Sequence, residues 1–181
     1  VKLADENGAE VEIGAPGEVL VKTSRALVGY WGKSSDAAPI DPEGFFHTGD
    51  IARQDEDGYL YIVDRKKDMI ISGGLNIFSK EIETVLEAHD AVKSSYVVGV
   101  PDDQWGENVL AFIVLHDGKN CTKVEILEWS SAQLARYKVP RMVQFLREED
   151  VPVNWGGKVL KRELRQKFLQ QKFTLNQTGQ A

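Results

Sequence analysis

A chain of 181 residues with net charge −6 and 42% hydrophobic residues has apolar material for one ordinary domain, or for a small domain with part of another. Its longest unbroken apolar run, Val109 to Leu115, falls far short of the roughly 20 residues a membrane-crossing helix needs. The one cysteine, Cys121, excludes an internal disulfide and fits a reducing compartment, so a cytoplasmic location is expected.

Charge divides the chain. Residues 1–64 hold 5 Lys/Arg against 13 Asp/Glu, whereas residues 65–181 hold 17 against 15, so the balance turns at Arg65. Neither part has the basic excess of a nucleic-acid binder, and Lys161, Arg162, Arg165 and Lys167 read as a solvated helix face. The chain opens on Val1 without a basic start and an apolar core. It reads as a piece of a longer protein whose targeting signal, if any, lies upstream.

Residues 1–64 read as short strands punctuated by Gly and Pro, at Gly14 to Gly17, Asp41-Pro42-Glu43-Gly44 and Asp57-Gly58. Val19 and Val21 alternate with Leu20 and Lys22, and Tyr59 to Val63 has the continuous apolar character of a strand buried on both faces. From Ser79 the period becomes helical. Ile82, Val85 and Leu86 share a face, Glu81 and Glu83 sit in the first turn where the helix dipole favours them, and Ser79 is the expected N-cap.

Strands follow at Val97 to Val100 and Val109 to Leu115, around a loop from Pro101 to Glu107. Thr122 and Glu125 form a capping box for a second helix that should end before Pro140. Met142 to Leu146 is a third strand candidate, Leu160 to Phe168 a last helix, and residues 171–181 an expected disordered tail. The expected fold class is α+β. Residues 1–64 would end a β-rich subdomain of a larger domain, 65–68 would be a hinge, and 69–170 a small α+β domain.

Three clusters bear on chemistry. Thr48-Gly49-Asp50 follows Phe45-Phe46-His47 and holds a carboxylate at a turn, although alone it reads more often as structural. Asp64-Arg65-Lys66-Lys67-Asp68 is a charged pentapeptide between apolar strands, read either as an exposed interdomain linker or as a charged hairpin turn. Gly73-Gly74 after it allows backbone shapes closed to other residues, or close approach of a ligand. Asn154-Trp155-Gly156-Gly157-Lys158 sets a lysine on a glycine-flanked loop, where it can reach a phosphate or carboxylate, though by itself it reads as a surface lysine. His47, His89 and His116 are too widely spaced for a metal cluster, and no metal site is expected in this chain. His47 reads as structural, and Trp31 and Trp105 as packing or loop anchors.

Together the order Thr-Gly-Asp, Asp-Arg-x-Lys-Asp, Gly-x-Asn ahead of Glu81-Ile82-Glu83, and Gly157-Lys158 resembles the adenylate-forming superfamily, from about Gly17 to Phe168. That family includes acyl-CoA synthetases, peptide-synthetase adenylation domains and beetle luciferases. The resemblance implies a large domain binding ATP and a carboxylic acid, and a C-terminal lid that closes over it in two orientations. It implies that Asp50 bonds the ribose hydroxyls, that Arg65 faces the nucleotide, and that Lys67 is the hinge. It further implies that Gly73, Gly74 and Asn76 line the channel for the CoA pantetheine arm and that Lys158 is catalytic.

ATP with Mg²⁺, whose ligands would lie outside this chain, and CoA are the implied co-substrates. A small carboxylic acid is the implied partner. Ser79 stands where the family usually has proline, and Asn154 where it often has threonine, which leaves the loop's internal hydrogen bonds open. The phosphate loop and acyl pocket would lie before Val1, so this chain alone is not expected to adenylate. The reading is an AMP-forming acid:CoA ligase. The alternatives are an adenylation domain loading a carrier protein, a luciferase-like oxygenase and a non-catalytic lid-like module. The short tail without a carrier domain favours the first, and the co-occurrence of Asp50, Arg65 and Lys158 speaks against the last.

Overall fold

The structure is a computed structural model and describes residues 1–26 and 40–178; Trp31 lies outside them. The chain forms two compact units, Val1–Lys67 and Asp68–Ala181.

The first unit is an antiparallel meander of β1 (Lys2–Ala4), β2 (Gly17–Val21), β3 (Phe46–Gln54) and β4 (Leu60–Arg65), in that spatial order. Its small core gathers Leu3, Val19 and Ala52, with Val11 and Val21 beside them. The expected alternation along β2 fails because Leu20 and Glu18 are buried as well. A register shift between Glu18 and Leu20 turns the strand locally. The β3–β4 connection is closed by Asp55, whose Oδ1 accepts the Asp57 and Tyr59 N–H groups at 3.1 and 2.8 Å and whose Oδ2 accepts the Tyr61 hydroxyl at 2.9 Å.

Tyr59 to Val63 departs from the reading of a strand buried on both faces. β4 is the last strand of its sheet, and Tyr59 and Ile62 are 68% and 62% exposed. Its apolar character requires a covering layer that no described element of this unit supplies. Nor is Asp64 to Asp68 wholly a linker. Arg65 still belongs to β4, Asp64 is buried, and only Lys66–Asp68 leave the sheet, as a 3-10 turn.

The second unit is α+β, as expected. It has one mixed sheet in the order β6 (Leu75–Ile77), β5 (Ile70–Ser72), β8 (Gly106–Leu115), β7 (Val92–Asp102), with β9 (Met142–Phe145) parallel to β8. β8 alternates its buried side chains between two cores, as a central strand covered on both faces must. Val109, Ala111 and Ile113 pack with Ile82 and Leu86 of α1 (Ser79–Glu87) and Ile126 of α2 (Lys123–Ser131). Leu110 and Phe112 pack with Leu164 and Phe168 of α3 (Lys161–Thr178).

Between Asp68 and α1 the chain makes two short strands, a tight hairpin turning at Gly73-Gly74. The long loop expected from Pro101 is shortened, because β7 and β8 stay paired as far as Asp102 opposite Gly106. The capping box forms as read. Thr122 Oγ1 accepts the Glu125 N–H at 3.2 Å, and Glu125 Oε2 accepts the Thr122 N–H at 2.7 Å.

α3 overruns both its expected end at Phe168 and the start of the expected tail at residue 171, continuing to Thr178. No Gly or Pro interrupts that stretch, and its Gln, Lys and Leu residues are compatible with helix. No described helix is long and apolar enough to cross a membrane.

Candidate functional site

In the first unit, β3 and β4 bring Asp50 and Arg65 into register as backbone partners, and Arg65 Nε donates to Asp50 Oδ1 at 2.8 Å. The carboxylate is held by its own turn. Gly49, at φ +73°, lets the chain fold so that the Asp50 N–H donates to Thr48 Oγ1 at 3.1 Å, while the Thr48 hydroxyl donates to the Val19 carbonyl at 2.8 Å. Each carboxylate oxygen accepts at two positions, so the pairing with Arg65 leaves Asp50 acceptor capacity for a diol.

The same turn makes a contact that sequence patterning did not find. Glu18 Oε2 receives Lys66 Nζ at 2.8 Å and faces His47 Nδ1 at 3.1 Å, and Glu18 Oε1 accepts the Gly49 N–H at 3.2 Å. Burial alone would raise the Glu18 carboxyl, but its bonds to Lys66 and His47 outweigh that and hold it below the usual glutamate value. His47 Nε2 also lies 3.5 Å from Asp41 Oδ2, so its role in the fold is to bridge two carboxylates. Lys67 is exposed in the 3-10 turn, and the division between units falls immediately after it.

In the second unit, Gly73 and Gly74 take φ +58° and +78°, the left-handed pair that a two-residue hairpin requires. Gly73 has a further reason to lack a side chain. A Cβ there would stand 2.9 Å from Trp105 Cε3, and the Gly73 N–H donates to the Trp105 carbonyl at 2.8 Å. Trp105 is thus a packing anchor. The guanidinium of Arg141 lies 5.1 Å from its ring centroid, and Asp102 Oδ1 accepts its backbone N–H at 2.9 Å. Asn76 is exposed on β6, opposite Ile71.

Lys158 sits on a closed turn. The Asn154 N–H donates to the Lys158 carbonyl at 2.9 Å, and Asn154 Oδ1 accepts the Gly156 and Lys158 N–H groups at 3.0 and 2.9 Å. Asparagine therefore supplies the internal hydrogen bonds left open by the missing threonine. Gly157 at φ +77° completes the turn, and Trp155 at its tip is fully exposed. Among the described residues no carboxylate of this unit pairs with Lys158, so its ammonium is presented to solvent on a rigid base.

Ser79 is not an N-cap. Phe78 holds that position without a side-chain cap bond, and Ser79 is the first helical residue, where proline is also at home. The Ser79 hydroxyl is turned to another use and receives Lys161 Nζ at 2.8 Å. Among the described residues no three His, Cys, Asp or Glu side chains gather as a metal site.

Residues 81–158 match the AMP-binding enzyme C-terminal domain family. The chain is 43% identical over 168 residues to a feruloyl-CoA synthase of an Amycolatopsis species, covering 93% of this chain and 34% of that protein. It is 42% identical over 167 residues to the fatty acid–[acyl-carrier-protein] ligase ScoC of Streptomyces coeruleorubidus, covering 92% of this chain and 32% of that one. In structure it superimposes on ATP-bound MatB from Rhodopseudomonas palustris with a TM-score of 0.85 at 37% identity, over 92% of this chain and 33% of MatB. The chain spans about a third of the length of the relatives it matches.

Proposed function

The chain belongs to the adenylate-forming enzymes, carrying their AMP-binding C-terminal domain, and on that premise we propose that it is part of an AMP-forming acid:CoA ligase. A carboxylate oxygen attacks the α-phosphorus of ATP, the bond to pyrophosphate breaks, and an acyl-adenylate results. The CoA thiol then attacks the acyl carbon, and AMP leaves. Mg²⁺ would neutralise charge on the phosphates, and among the described residues no three His, Cys, Asp or Glu side chains gather to hold it.

The observation that carries this reading is Lys158, an ammonium with no described ion-pair partner in its unit on a turn closed by Asn154. In adenylation it stands against the carboxylate and the α-phosphate. Removing a fixed charge of this kind commonly costs about 10²- to 10³-fold in rate. Asp50 accepts from the ribose hydroxyls while Arg65 fixes its orientation at 2.8 Å. Lys67 absorbs the backbone rotation that carries the lid between its two orientations. Gly73, Gly74 and Asn76 then present a face without bulk to the pantetheine arm.

The test is the product set. Incubation of the full-length protein with ATP, CoA and a panel of aryl, fatty and dicarboxylic acids is expected to give pyrophosphate and AMP, with AMP release dependent on CoA. ADP, or AMP release indifferent to CoA, overturns the reading. The likeness to a ligase acting on an acyl carrier protein favours a second reading, in which a carrier-bound pantetheine replaces CoA; AMP release with a carrier protein but not with CoA selects it.

A further inference from the structure

Lys161 opens α3 three residues after Lys158 and reads in the sequence as one cation of a solvated face. In the fold it is drawn inward. Its Nζ lies 2.6 Å from Glu83 Oε1 and donates to Ser79 Oγ at 2.8 Å. Glu83 is only 4% exposed and Ser79 is fully buried. Glu83 Oε1 also accepts the Val97 N–H at 2.9 Å, and Lys80 Nζ stands 3.7 Å from Oε2. We infer that this buried cluster is a positioning device for Lys158, a step that rests on the ligase reading above.

From Pro152 to Leu160 the Lys158 turn is closed on itself: Val153 pairs with Val159, the Leu160 N–H donates to the Pro152 carbonyl at 2.8 Å, and Asn154 ties the interior. A body closed in this way moves as one piece, and its direction is set where it joins the domain. On one side that join is Lys161. A buried ion pair is a poor source of stability, since apolar residues of similar volume fill the space without desolvation cost. It does specify direction, because the ammonium is held at once by Glu83 and Ser79.

The same cluster includes the first residue of α1, two beyond the end of β6. Lys161 and Glu83 touch no substrate; they act through Lys158.

The experiment uses the full-length protein and reads the two half-reactions separately: acid-dependent pyrophosphate release, and thioester formation from supplied acyl-adenylate. Lys161→Met is expected to lower the first about 10²-fold, the penalty of a misplaced reacting group, and to leave the second within about threefold of wild type. Lys161→Arg, which keeps a cation able to reach both partners, is expected to restore pyrophosphate release to within about threefold. Equal loss in both half-reactions, or unchanged pyrophosphate release in folded Lys161→Met, overturns the inference.

If Lys161→Met does not fold, Ser79→Ala decides. Alanine suits a first helical turn, and a loss of about threefold to tenfold confined to pyrophosphate release supports the device. No loss, or equal loss in both steps, refutes it. Lys158→Ala run in parallel separates the two claims. Normal pyrophosphate release there sinks the ligase role of Lys158 and the inference with it, whereas its abolition beside an unaffected Lys161→Met sinks the inference alone.

Discussion

Replacing Gly73 by alanine meets two separate obstacles, and its neighbour provides the control for one of them. At φ +58° an L-residue is in the left-handed region, which costs about 1–2 kcal/mol. Gly74 at φ +78° incurs a similar cost, but a Cβ there meets nothing within 4 Å. At Gly73 the new Cβ would stand 2.9 Å from Trp105 Cε3, well inside ordinary contact, so either the indole or the hairpin must shift by about half an ångström. Trp105 is not free to yield, since its N–H, its carbonyl and its ring each have a partner.

Overpacking of this kind adds roughly 1–3 kcal/mol. Urea unfolding followed by tryptophan fluorescence should therefore show Gly73→Ala destabilised by about 2–5 kcal/mol and Gly74→Ala by the smaller dihedral cost alone. In the double variant with Trp105→Ala, the excess at Gly73 should disappear, giving a coupling above about 1 kcal/mol. Equal destabilisation of the two glycine variants, or a cycle that closes without coupling, would refute the reasoning.

Two further expectations concern the β-rich unit and the junction after it. The Glu18 carboxyl is held below its ordinary value of 4.5 despite burial, by Lys66 and His47. The unfolded chain therefore takes up this proton first as pH falls, so the Glu18 contribution to stability is complete above about pH 4.5 and lost as pH drops through the lower folded value. Urea midpoints between pH 6 and 3 should fall less in Glu18→Gln than in wild type, and parallel pH profiles would count against the assignment. At the junction, Lys67→Pro fixes φ near −65°. Pyrophosphate release should persist while thioester formation from acyl-adenylate is lost, and equal loss of both would exclude Lys67 as the hinge.

What could be read before the fold was known depended on how local its cause is. The capping box of Thr122 and Glu125 is complete within four residues and appears as read. Gly157 and Asn154 likewise signal their turn, although the double role of Asn154 Oδ1 is settled only by the folded loop. Gly73-Gly74 reads either as backbone freedom or as room for a ligand, and the same pair between two short apolar runs is also the signature of a hairpin. Ser79 carried an N-cap signal, yet a serine hydroxyl at the first helical position serves a partner as readily as its own helix.

The pairs Lys161 with Glu83, Lys66 with Glu18 and Trp105 with Gly73 left no trace in periodicity, because each joins residues far apart in the chain. Tyr59 to Val63 shows the opposite error. Its pattern speaks of burial, and the described residues of its unit offer no layer to provide it.

In the proposed mechanism Lys158 serves the formation of the acyl-adenylate and not its consumption. The most direct measurement compares Lys158→Ala with wild type in the full-length protein, following acid-dependent pyrophosphate release and, separately, the conversion of supplied acyl-adenylate and CoA to thioester and AMP. Pyrophosphate release is expected to fall by about 10²-fold or more while thioester formation continues at close to the wild-type rate. Pyrophosphate release at the wild-type rate would contradict it.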